Sequence, residues 1–345
     1  MSKTYLITGG AGFIGSNFVN YIYNKYPDSK IIVLDLLTYA GSVENFPINV
    51  KNINDRFEFW YGNVTNSALV DALVSKADYV IHFAAETHVT RSIFDNRDFF
   101  ETDVIGTQTV SNAVLQNKNS VEKFIHISTS EVYGTAKGCE LMDESHPLNP
   151  MSPYAAAKVG ADRLVYSYVE TYDIPATIIR PFNNYGASQH LEKAIPRFIT
   201  SALLDEDLTV HGQGGASRDW INVHDTCLGI DKVLNSPLSK VQGEVFNLGT
   251  GRTISIKDIA LQIADIMNID NSKIKYIDDR PGQVDCHIAD TQKIKNSLDW
   301  QPTINFEDGL KETIKWYKNN SHKWEKQIWM RQVPIVLKDG KKVIH

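Results

Sequence analysis

The sequence has few cysteines, no surplus of basic residues and no long apolar run. Its three cysteines, Cys139, Cys227 and Cys286, are far apart and lack the paired spacing of a zinc site. We therefore predict three free thiols and no metal site. The net charge of -6 argues against a nucleic-acid-binding surface, which requires clustered lysine and arginine, although it allows a local basic pocket.

Membrane-spanning segments are also missing. No apolar run approaches the ~20 residues that cross a bilayer, and Ser2-Lys3-Thr4 leads into a short apolar segment without a small-residue cleavage site. We expect a cytosolic protein with no membrane partner. The composition of 42% hydrophobic and 22% charged residues is ordinary for a globular chain, with no repeat or low-complexity tract.

The chain does contain a regular alternation of strand-like apolar runs and helix-length amphipathic stretches. Such runs are typical of strands buried on both faces, so we expect an α/β fold with a doubly wound parallel Rossmann sheet. The predicted strands are Tyr5–Thr8, Lys30–Asp35, Phe57–Tyr61, Tyr79–Ala85, Phe124–Ser128 and Ala176–Arg180. Helices are predicted over Ile105–Lys118 and Tyr154–Thr171, and both could form a dimer face.

The alternation breaks down after Asn184, where loop-rich sequence predicts a smaller, discontinuous C-terminal domain. A strand is expected over Val245–Leu248 and a helix over Ser255–Met267. The first domain would comprise residues 1–185 with about 220–250, and the second 186–219 with 251–345.

A glycine-rich turn follows the first predicted strand. Gly9, Gly12 and Gly15 would allow a tight turn, close approach of the backbone to a pyrophosphate and close packing of a helix beginning near Phe13. The second strand ends at Asp35, whose carboxylate can accept hydrogen bonds from the adenosine ribose and would repel a 2′-phosphate. A glycine triplet alone is weak evidence, but this order of elements predicts NAD rather than NADP.

Tyr154 and Lys158 are four residues apart in a predicted helix that follows Pro153, so both side chains share one face near its start. The cation would lower the pKa of the phenol, which could then deprotonate a sugar hydroxyl while the ammonium group holds the nicotinamide ribose. The pattern is common by chance. The neighbouring sequence supports a catalytic pair. Thr129 and Glu131 come just after the carboxyl end of a predicted strand, which is where parallel sheets bind ligands.

Thr129 can therefore hydrogen-bond the hydroxyl that is oxidised, and Glu131 can reach an adjacent carbon, unless it is only a helix cap or a solvent-exposed acid. Together, eight segments resemble the extended short-chain dehydrogenases/reductases, in particular dTDP-glucose 4,6-dehydratases and related nucleotide-sugar dehydratases. They cover almost the whole chain: Thr8–Gly15, Leu37–Gly41, His82–Val89, Ser128–Gly134, Ser152–Lys158, Asn183–Gly186, Arg218–Trp220 and Arg280–Gly282.

The resemblance implies an NAD-dependent lyase that forms a 4-keto-6-deoxy sugar from an NDP-hexose or NDP-N-acetylhexosamine, as a homodimer. The implied cofactor residues are Gly9, Gly12, Phe13, Ile14, Gly15, Asp35, Thr38, Asn63, Val64, Phe83, Ala84, Ala85, Tyr154 and Lys158. The implied substrate residues are donors and cations suited to a diphosphate and a sugar: His88, Asn183, Lys193, Arg218, Asn247 and Arg280, with Arg91 beside His88.

In such enzymes Tyr154 would deprotonate the C4 hydroxyl as hydride passes to NAD, Glu131 would remove the C5 proton as water leaves C6, and hydride would return to C6. The family typically has Thr-Asp-Glu where residues 129–131 are Thr-Ser-Glu, so the acid for the leaving hydroxyl is missing. Glu131, a water or a relay through Ser130 could supply the proton. The Thr-Ser-Glu version resembles GDP-mannose 4,6-dehydratases, N-acetylhexosamine dehydratases and UDP-glucuronate decarboxylases.

The nucleotide base and the sugar stay open, because Leu36 replaces a lysine of that family and Asn63 and Thr90 replace aspartates. Three other functions also stay open. A UDP-glucuronate decarboxylase is disfavoured because its usual Asp-Glu-Gly insert between tyrosine and lysine is missing. A 4-epimerase is disfavoured because its reaction removes no proton from C5, so Glu131 would have no role in it. A non-catalytic NAD-binding regulator would not need Thr129, Tyr154 and Lys158 together.

Overall fold

Strands and helices alternate along the first half of the chain. The structure, a computed structural model, describes residues 2–49, 53–277, 284–336 and 340–344. The first elements are β1 (Thr4–Thr8), α1 (Phe13–Lys25), β2 (Lys30–Asp35), β3 (Phe57–Tyr61), α2 (Ser67–Val74), β4 (Tyr79–His82), α3 (Val89–Phe94), α4 (Arg97–Phe99), α5 (Thr107–Gln116), β5 (Lys123–Ile127), α6 (Pro153–Tyr172) and β6 (Ala176–Pro181). A π-helix over Phe100–Gly106 joins α4 to α5.

The second half contains shorter strands. Its elements are β7 (Asn183–Tyr185), α7 (Ala194–Leu203), β8 (Leu208–His211), β9 (Ser217–Asn222), α8 (Val223–Leu234), β10 (Val245–Leu248), β11 (Thr253–Ser255), α9 (Ile256–Met267), β12 (Ile274–Ile277), β13 (Cys286–His287), α10 (Gln292–Leu298), α11 (Phe306–Asn319), α12 (Ser321–Trp324), β14 (Pro334–Val336) and β15 (Lys342–Ile344). Within the described ranges, no helix combines the length and apolarity needed to span a membrane.

Seven strands form one sheet in the order β3-β2-β1-β4-β5-β6-β10, and every neighbouring pair is parallel. Successive residues of a strand point to opposite faces, so Ile7 belongs to the core cluster beneath α1 and α8 while Leu6 belongs to the cluster beneath α2 and α5. Helices cover both faces, which explains the apolar runs. The predicted doubly wound parallel α/β fold is confirmed.

The shorter strands form a second group. β9 pairs with β7, β11 and β13, and β8 pairs with β12. Residues of α7, α9 and α11 pack over them in a separate core cluster that includes Ile195, Ile259 and Leu310. β10 then returns to the central sheet beside β6, and α10 packs against that sheet. The exact domain boundaries stay a prediction.

The three cysteines do not behave as predicted, because Cys139 and Cys286 form a disulfide with their Cα atoms 5.5 Å apart. Cys227 is free and buried. The prediction of three free thiols is therefore wrong. The two bonded cysteines are separated by 147 residues, and only the fold places β13 beside the 3-10 helix Lys137–Cys139. No local spacing could have shown this pairing.

Candidate active site

One cavity of about 440 Å³ lies along the carboxyl ends of β1, β2, β4, β5 and β6. It is the edge at which parallel sheets of this order bind ligands. All fourteen predicted cofactor residues line it, from Gly9 to Lys158, and so do the five predicted catalytic residues: Thr129, Ser130, Glu131, Tyr154 and Lys158. The structure thus brings together groups that are more than a hundred residues apart in sequence.

The glycine turn fits a bound pyrophosphate. Gly9 has a φ of +68°, and a Cβ atom there would lie 2.5 Å from the backbone nitrogen of Ala84. A Cβ atom on Gly15 would lie 2.2 Å from the carbonyl oxygen of Gly9. No larger residue fits either position without moving the backbone. The first turn of α1, from Phe13 to Gly15, also lines the cavity. Its backbone N–H groups have no partner within the helix, so they can bind phosphate oxygens.

Asp35 lies at the end of β2, where its carboxylate is held by two backbone groups. Oδ2 accepts the N–H of Ala11 at 2.9 Å, and Oδ1 accepts the N–H of Leu37 at 2.8 Å. Burial raises the pKa of Asp35, while these two hydrogen bonds lower it. Each oxygen keeps a further lone pair, so the fixed carboxylate can still accept hydrogen bonds from a ribose.

The predicted pair Tyr154 and Lys158 lies in the first turns of α6. The helix begins with Ser152, whose Oγ accepts the N–H of Ala155 at 3.1 Å, and with Pro153 in its first turn. Both predicted side chains are buried and reach the cavity from the same helix face. Lys158 donates from Nζ to the carbonyl oxygen of Ile127 at 2.7 Å.

The protonation of Tyr154 differs from the prediction. Burial raises the pKa of its phenol, the charge of Asp103 raises it further, and a hydrogen bond with Thr129 lowers it. Burial also lowers the pKa of Lys158, which the charge of Asp103 counteracts. The pKa of the phenol is therefore raised in this structure, whereas the sequence predicted that Lys158 would lower it.

Asp103 is a buried carboxylate that the sequence did not indicate. It lies on the π-helix, where Oδ1 accepts the N–H of Glu86 at 2.8 Å. Among the residues that the structure describes, its Oδ2 has no hydrogen-bond partner. Burial raises the pKa of Asp103 to about 7, although the charge of Lys158 lowers it. The site thus contains an acid that titrates near neutral pH behind its tyrosine and lysine.

The segment after β5 presents Ser130 and Glu131 to the cavity. Thr129 caps the 3-10 helix Ser130–Tyr133, and its Oγ1 accepts the N–H of Glu131 at 3.2 Å. Ser130 is buried, whereas the side chain of Glu131 is 18% exposed. A partly exposed carboxylate therefore lies two residues after the threonine and lines the cavity.

Four predicted substrate residues, His88, Asn183, Lys193 and Arg218, also line the cavity. His88 caps α3 by accepting the N–H of Arg91 at its Nδ1 atom, and Lys193 donates to a loop carbonyl at 3.1 Å. Arg218 is buried at the start of β9. The two cations bring positive charge to the part of the cavity beyond the catalytic segment.

The prediction for Asn247 is wrong. This residue of β10 is fully buried and does not line the cavity. Its Nδ2 atom donates to the carbonyl oxygen of Met142 at 2.9 Å, and its Oδ1 accepts the hydroxyl of Tyr133 at 2.8 Å. Both ends of the amide are thus used to hold the loop after the catalytic segment. Arg280 lies outside the described residues.

Glu192 is a further lining residue that sequence reasoning missed. It accepts the guanidinium of Arg91 at 3.0 Å and the hydroxyl of Tyr39 at 3.2 Å, and it lies 3.8 Å from Nε2 of His88. A single acid after a loop carries no recognisable pattern, so only the fold reveals this cluster. Other lining residues absent from the prediction are Glu86, Gln189, His190, Arg197 and His211.

The sheet order, the glycine turn and the buried Tyr154 and Lys158 define a short-chain dehydrogenase/reductase of the extended type. A family model described as GDP-mannose 4,6 dehydratase matches residues 6–313. The chain therefore belongs to this family of NAD-dependent nucleotide-sugar dehydratases, which are hydro-lyases.

Individual relatives agree with this membership. The chain is 42% identical over 312 residues to the low-salt glycan biosynthesis protein Agl12 of Haloferax volcanii, covering 90% of this chain and 97% of that protein. It is 36% identical over 324 residues to a dTDP-glucose 4,6-dehydratase of Actinoplanes, covering 92% and 99%. The crystal structure of the dTDP-glucose 4,6-dehydratase DesIV from Streptomyces venezuelae, with NAD and TYD bound, has a TM-score of 0.88 and 38% identity, covering 94% and 99%.

These comparisons confirm the predictions of family, fold class, hydro-lyase chemistry and cofactor. A second dTDP-glucose 4,6-dehydratase structure, from Bacillus anthracis, also contains NAD, with a TM-score of 0.86 and 36% identity over 94% of this chain. A nucleotide sugar is the substrate class that the family shares.

Proposed function

We propose that this family member removes water across C5 and C6 of a nucleotide-diphosphate hexose, with dTDP-glucose as the first candidate. The observation that carries the proposal is a single cavity lined both by the glycine turn with Asp35 and by Tyr154, Lys158 and Glu131. Several relatives are dTDP-glucose 4,6-dehydratases at 36–39% identity over most of the chain, which supports the choice of sugar.

The residues present fit NAD. The backbone N–H groups at the start of α1 suit its pyrophosphate, and the fixed carboxylate of Asp35 suits the adenosine ribose. Phe83, Ala84 and Ala85 would line the path between the two ends of the cofactor. When bound, NAD supplies a hydride acceptor that later returns the hydride. Lys158 would hold the second ribose from the opposite side of the cavity.

Two side chains of the chain would move protons, and a third would assist one of them. Tyr154 would take the proton of the C4 hydroxyl, with Thr129 hydrogen-bonded to its phenol. Oxidation at C4 makes the C5 proton acidic, and Glu131 would remove it. The electron pair then forms the C5–C6 double bond as the C6 hydroxyl leaves as water. Ser130 stands where an acid is usual, so the leaving hydroxyl needs its proton from another group.

The nucleotide diphosphate would bind at the side of the cavity formed by Asn183, Lys193 and Arg218. A cation at Lys193 and a planar guanidinium at Arg218 suit phosphate oxygens. His88 would lie nearer to the sugar. This division also supports two domains, with residues 1–185 and about 220–250 binding NAD and residues 186–219 and 251–345 binding the nucleotide sugar.

A homodimer in the cytosol completes the proposal. α5 and α6 pack side by side, and Tyr166 and Tyr172 of α6 expose 39% and 46% of their surface. Exposed aromatic residues on a pair of long helices favour an interface with a second copy. Light scattering on the purified protein would show a mass of twice 38.8 kDa, and a monomer at all concentrations would contradict the dimer.

The function is tested by incubating the protein with nucleotide sugars that differ in base and in sugar. Mass spectrometry should find a product lighter by one water, and the C5 position should exchange its hydrogen with deuterated water. A protein that binds nucleotide sugars without either change would contradict the proposal, and it would favour the non-catalytic alternative.

A further inference from the structure

His287 is a buried imidazole that lies next to the carboxylate of Glu131. Its Nε2 atom is 2.6 Å from the carbonyl oxygen of Gly134, and its Nδ1 atom is 3.8 Å from Oε1 of Glu131. A carbonyl oxygen can only accept, so Nε2 carries a hydrogen and the neutral ring has its lone pair on Nδ1. Among the described residues, that Nδ1 atom has no hydrogen-bond partner.

The imidazole is held in place from several sides. β13 pairs with β9 through His287 and Arg218, and the N–H of Ala136 donates to the carbonyl oxygen of Cys286 at 3.1 Å. The disulfide of Cys286 ties the same strand to the loop that follows Glu131. The ring is fully buried, so it cannot turn its Nδ1 atom to solvent. Glu131 is the carboxylate that lies beside Nδ1, with its Oε1 atom 3.8 Å away.

Burial favours the neutral form of His287. Burial lowers the pKa of His287, as do the charges of Arg218 and His146, whereas Glu131 and the carbonyl of Gly134 raise it. The ring is therefore neutral at neutral pH, with Nδ1 as an acceptor. A buried acceptor without a donor is unfavourable, because it has given up its hydrogen bonds to water. Glu131 can provide the donor only when its carboxyl group is protonated.

We propose that His287 is a positioning residue, which accepts the O–H of Glu131 after that carboxylate has taken the C5 proton. The inference rests on the proposed dehydration. The C5–H bond breaks and its proton passes to Glu131, while the electron pair stays on the sugar next to the C4 ketone. The C6–O bond then breaks, and the hydroxyl leaves as water with the proton that Glu131 releases. His287 starts and ends neutral, so the proton count balances.

This arrangement gives the chain a way to work without the acid that Ser130 replaces. One carboxyl group acts first as base and then as acid, and the histidine holds it in its protonated form beside the sugar between the two steps. His287 does not touch the reacting carbon atoms itself. Its effect should therefore appear in the steps after hydride transfer and leave substrate binding unchanged.

The test compares His287→Gln with His287→Asn. A glutamine amide can replace Nε2–H at Gly134 but has no acceptor at the Nδ1 position, whereas an asparagine oxygen can occupy the Nδ1 position. In rapid mixing with a substrate of the wild type, both variants should reduce bound NAD normally. His287→Gln should lose about 3- to 10-fold in C5 exchange and kcat at unchanged KM, the worth of one hydrogen bond between neutral groups. His287→Asn should regain much of that loss.

His146→Gln is the matched control, because His146 is a nearby titratable residue whose ring packs on Tyr133. It should behave as wild type. Normal C5 exchange in His287→Gln would overturn the inference while wild-type dehydration upholds the proposed function. Equal losses of NAD reduction and exchange in both variants at His287 would show a purely structural role and also overturn it. If wild type reduces NAD but loses no water, the proposed function fails instead.

Discussion

Lys158 donates from Nζ to the carbonyl oxygen of Ile127, 2.7 Å away, and so connects α6 to the last residue of β5. The predicted catalytic residues lie in α6 and in the segment directly after β5. Tyr154 precedes the lysine by one helical turn, and Thr129 follows the isoleucine by two residues. One hydrogen bond thus fixes the phenol relative to the threonine and the glutamate, and it keeps the ammonium group inside the site.

Tyr154→Phe should abolish turnover while substrate binding survives. The substitution removes only the hydroxyl that would take the C4 proton, and the ring that packs against Phe99 remains. We expect kcat to fall by roughly 10²–10⁴-fold, the usual contribution of a general base. Calorimetry measures binding and a coupled assay measures turnover. Tyr166→Phe, on the exposed side of the same helix, should be neutral, and wild-type activity in Tyr154→Phe would remove the tyrosine from the mechanism.

Glu131→Gln should separate hydride transfer from dehydration. Reduction of bound NAD does not use the carboxylate, so it should proceed and leave reduced cofactor that absorbs at its characteristic wavelength. Loss of water should slow by about 10²–10⁴-fold, because C5 deprotonation loses its base. Stopped-flow absorbance and mass spectrometry of the quenched mixture measure the two steps. Dehydration at the normal rate would mean that Glu131 is structural.

Asp35 should make the protein select NAD. The carboxylate faces the cavity and would repel the 2′-phosphate of NADP, so titration should give much tighter binding of NAD. Asp35→Asn removes the negative charge and should reduce the ratio of the affinities for NAD and NADP by roughly tenfold or more. Purified wild type should also carry NAD(H). Equal affinity of the wild type for the two cofactors contradicts this prediction.

Asp103→Asn should change how stability depends on pH. Burial raises the pKa of Asp103 from 3.8 to about 7. The contribution of this group to the free energy of unfolding is therefore fully present below pH 3.8 and is lost as the pH rises through about 7. The asparagine cannot ionise. Between these pH values the wild type should therefore lose unfolding free energy relative to Asp103→Asn, as measured by urea denaturation at several pH values.

The exposed Asp98→Asn on α4 controls for a general loss of negative charge and should follow the wild type. Activity offers a second measurement, since the charge of Asp103 raises the pKa of Tyr154. The rate of NAD reduction should show an inflection near pH 7 in wild type that Asp103→Asn lacks. Parallel pH curves for the two proteins would contradict the assigned protonation of Asp103.

Much of the sheet could be predicted because buried parallel strands are continuous apolar runs. Lys30–Asp35, Phe57–Tyr61 and Val245–Leu248 were predicted at their observed bounds. Tyr79–Ala85 was too long, since β4 ends at His82 and the next residues line the cavity. The residues predicted to bind the cofactor and to act in catalysis line one cavity for the same reason: all parallel strands end at one edge of the sheet.

Contacts between distant segments could not be predicted. In the sequence, Asn247 cannot be told apart from a polar residue that lines the cavity. Only the packing shows that its amide donates to the backbone carbonyl of Met142. His287 and Glu131 are likewise brought together by β13. The π-helix that carries Asp103 falls inside a stretch that has an ordinary helical pattern, so neither its geometry nor its buried acid has a local signal.

The position of β10 has a consequence for biosynthesis. Its residues 245–248 complete the central sheet by pairing with β6, which ends at Pro181. While the ribosome makes the intervening segment, the newly made edge of β6 has no neighbour and could pair with another nascent chain. A chaperone that covers this edge until Leu248 emerges would therefore raise the yield of folded enzyme, and premature termination before that point would release an aggregation-prone fragment.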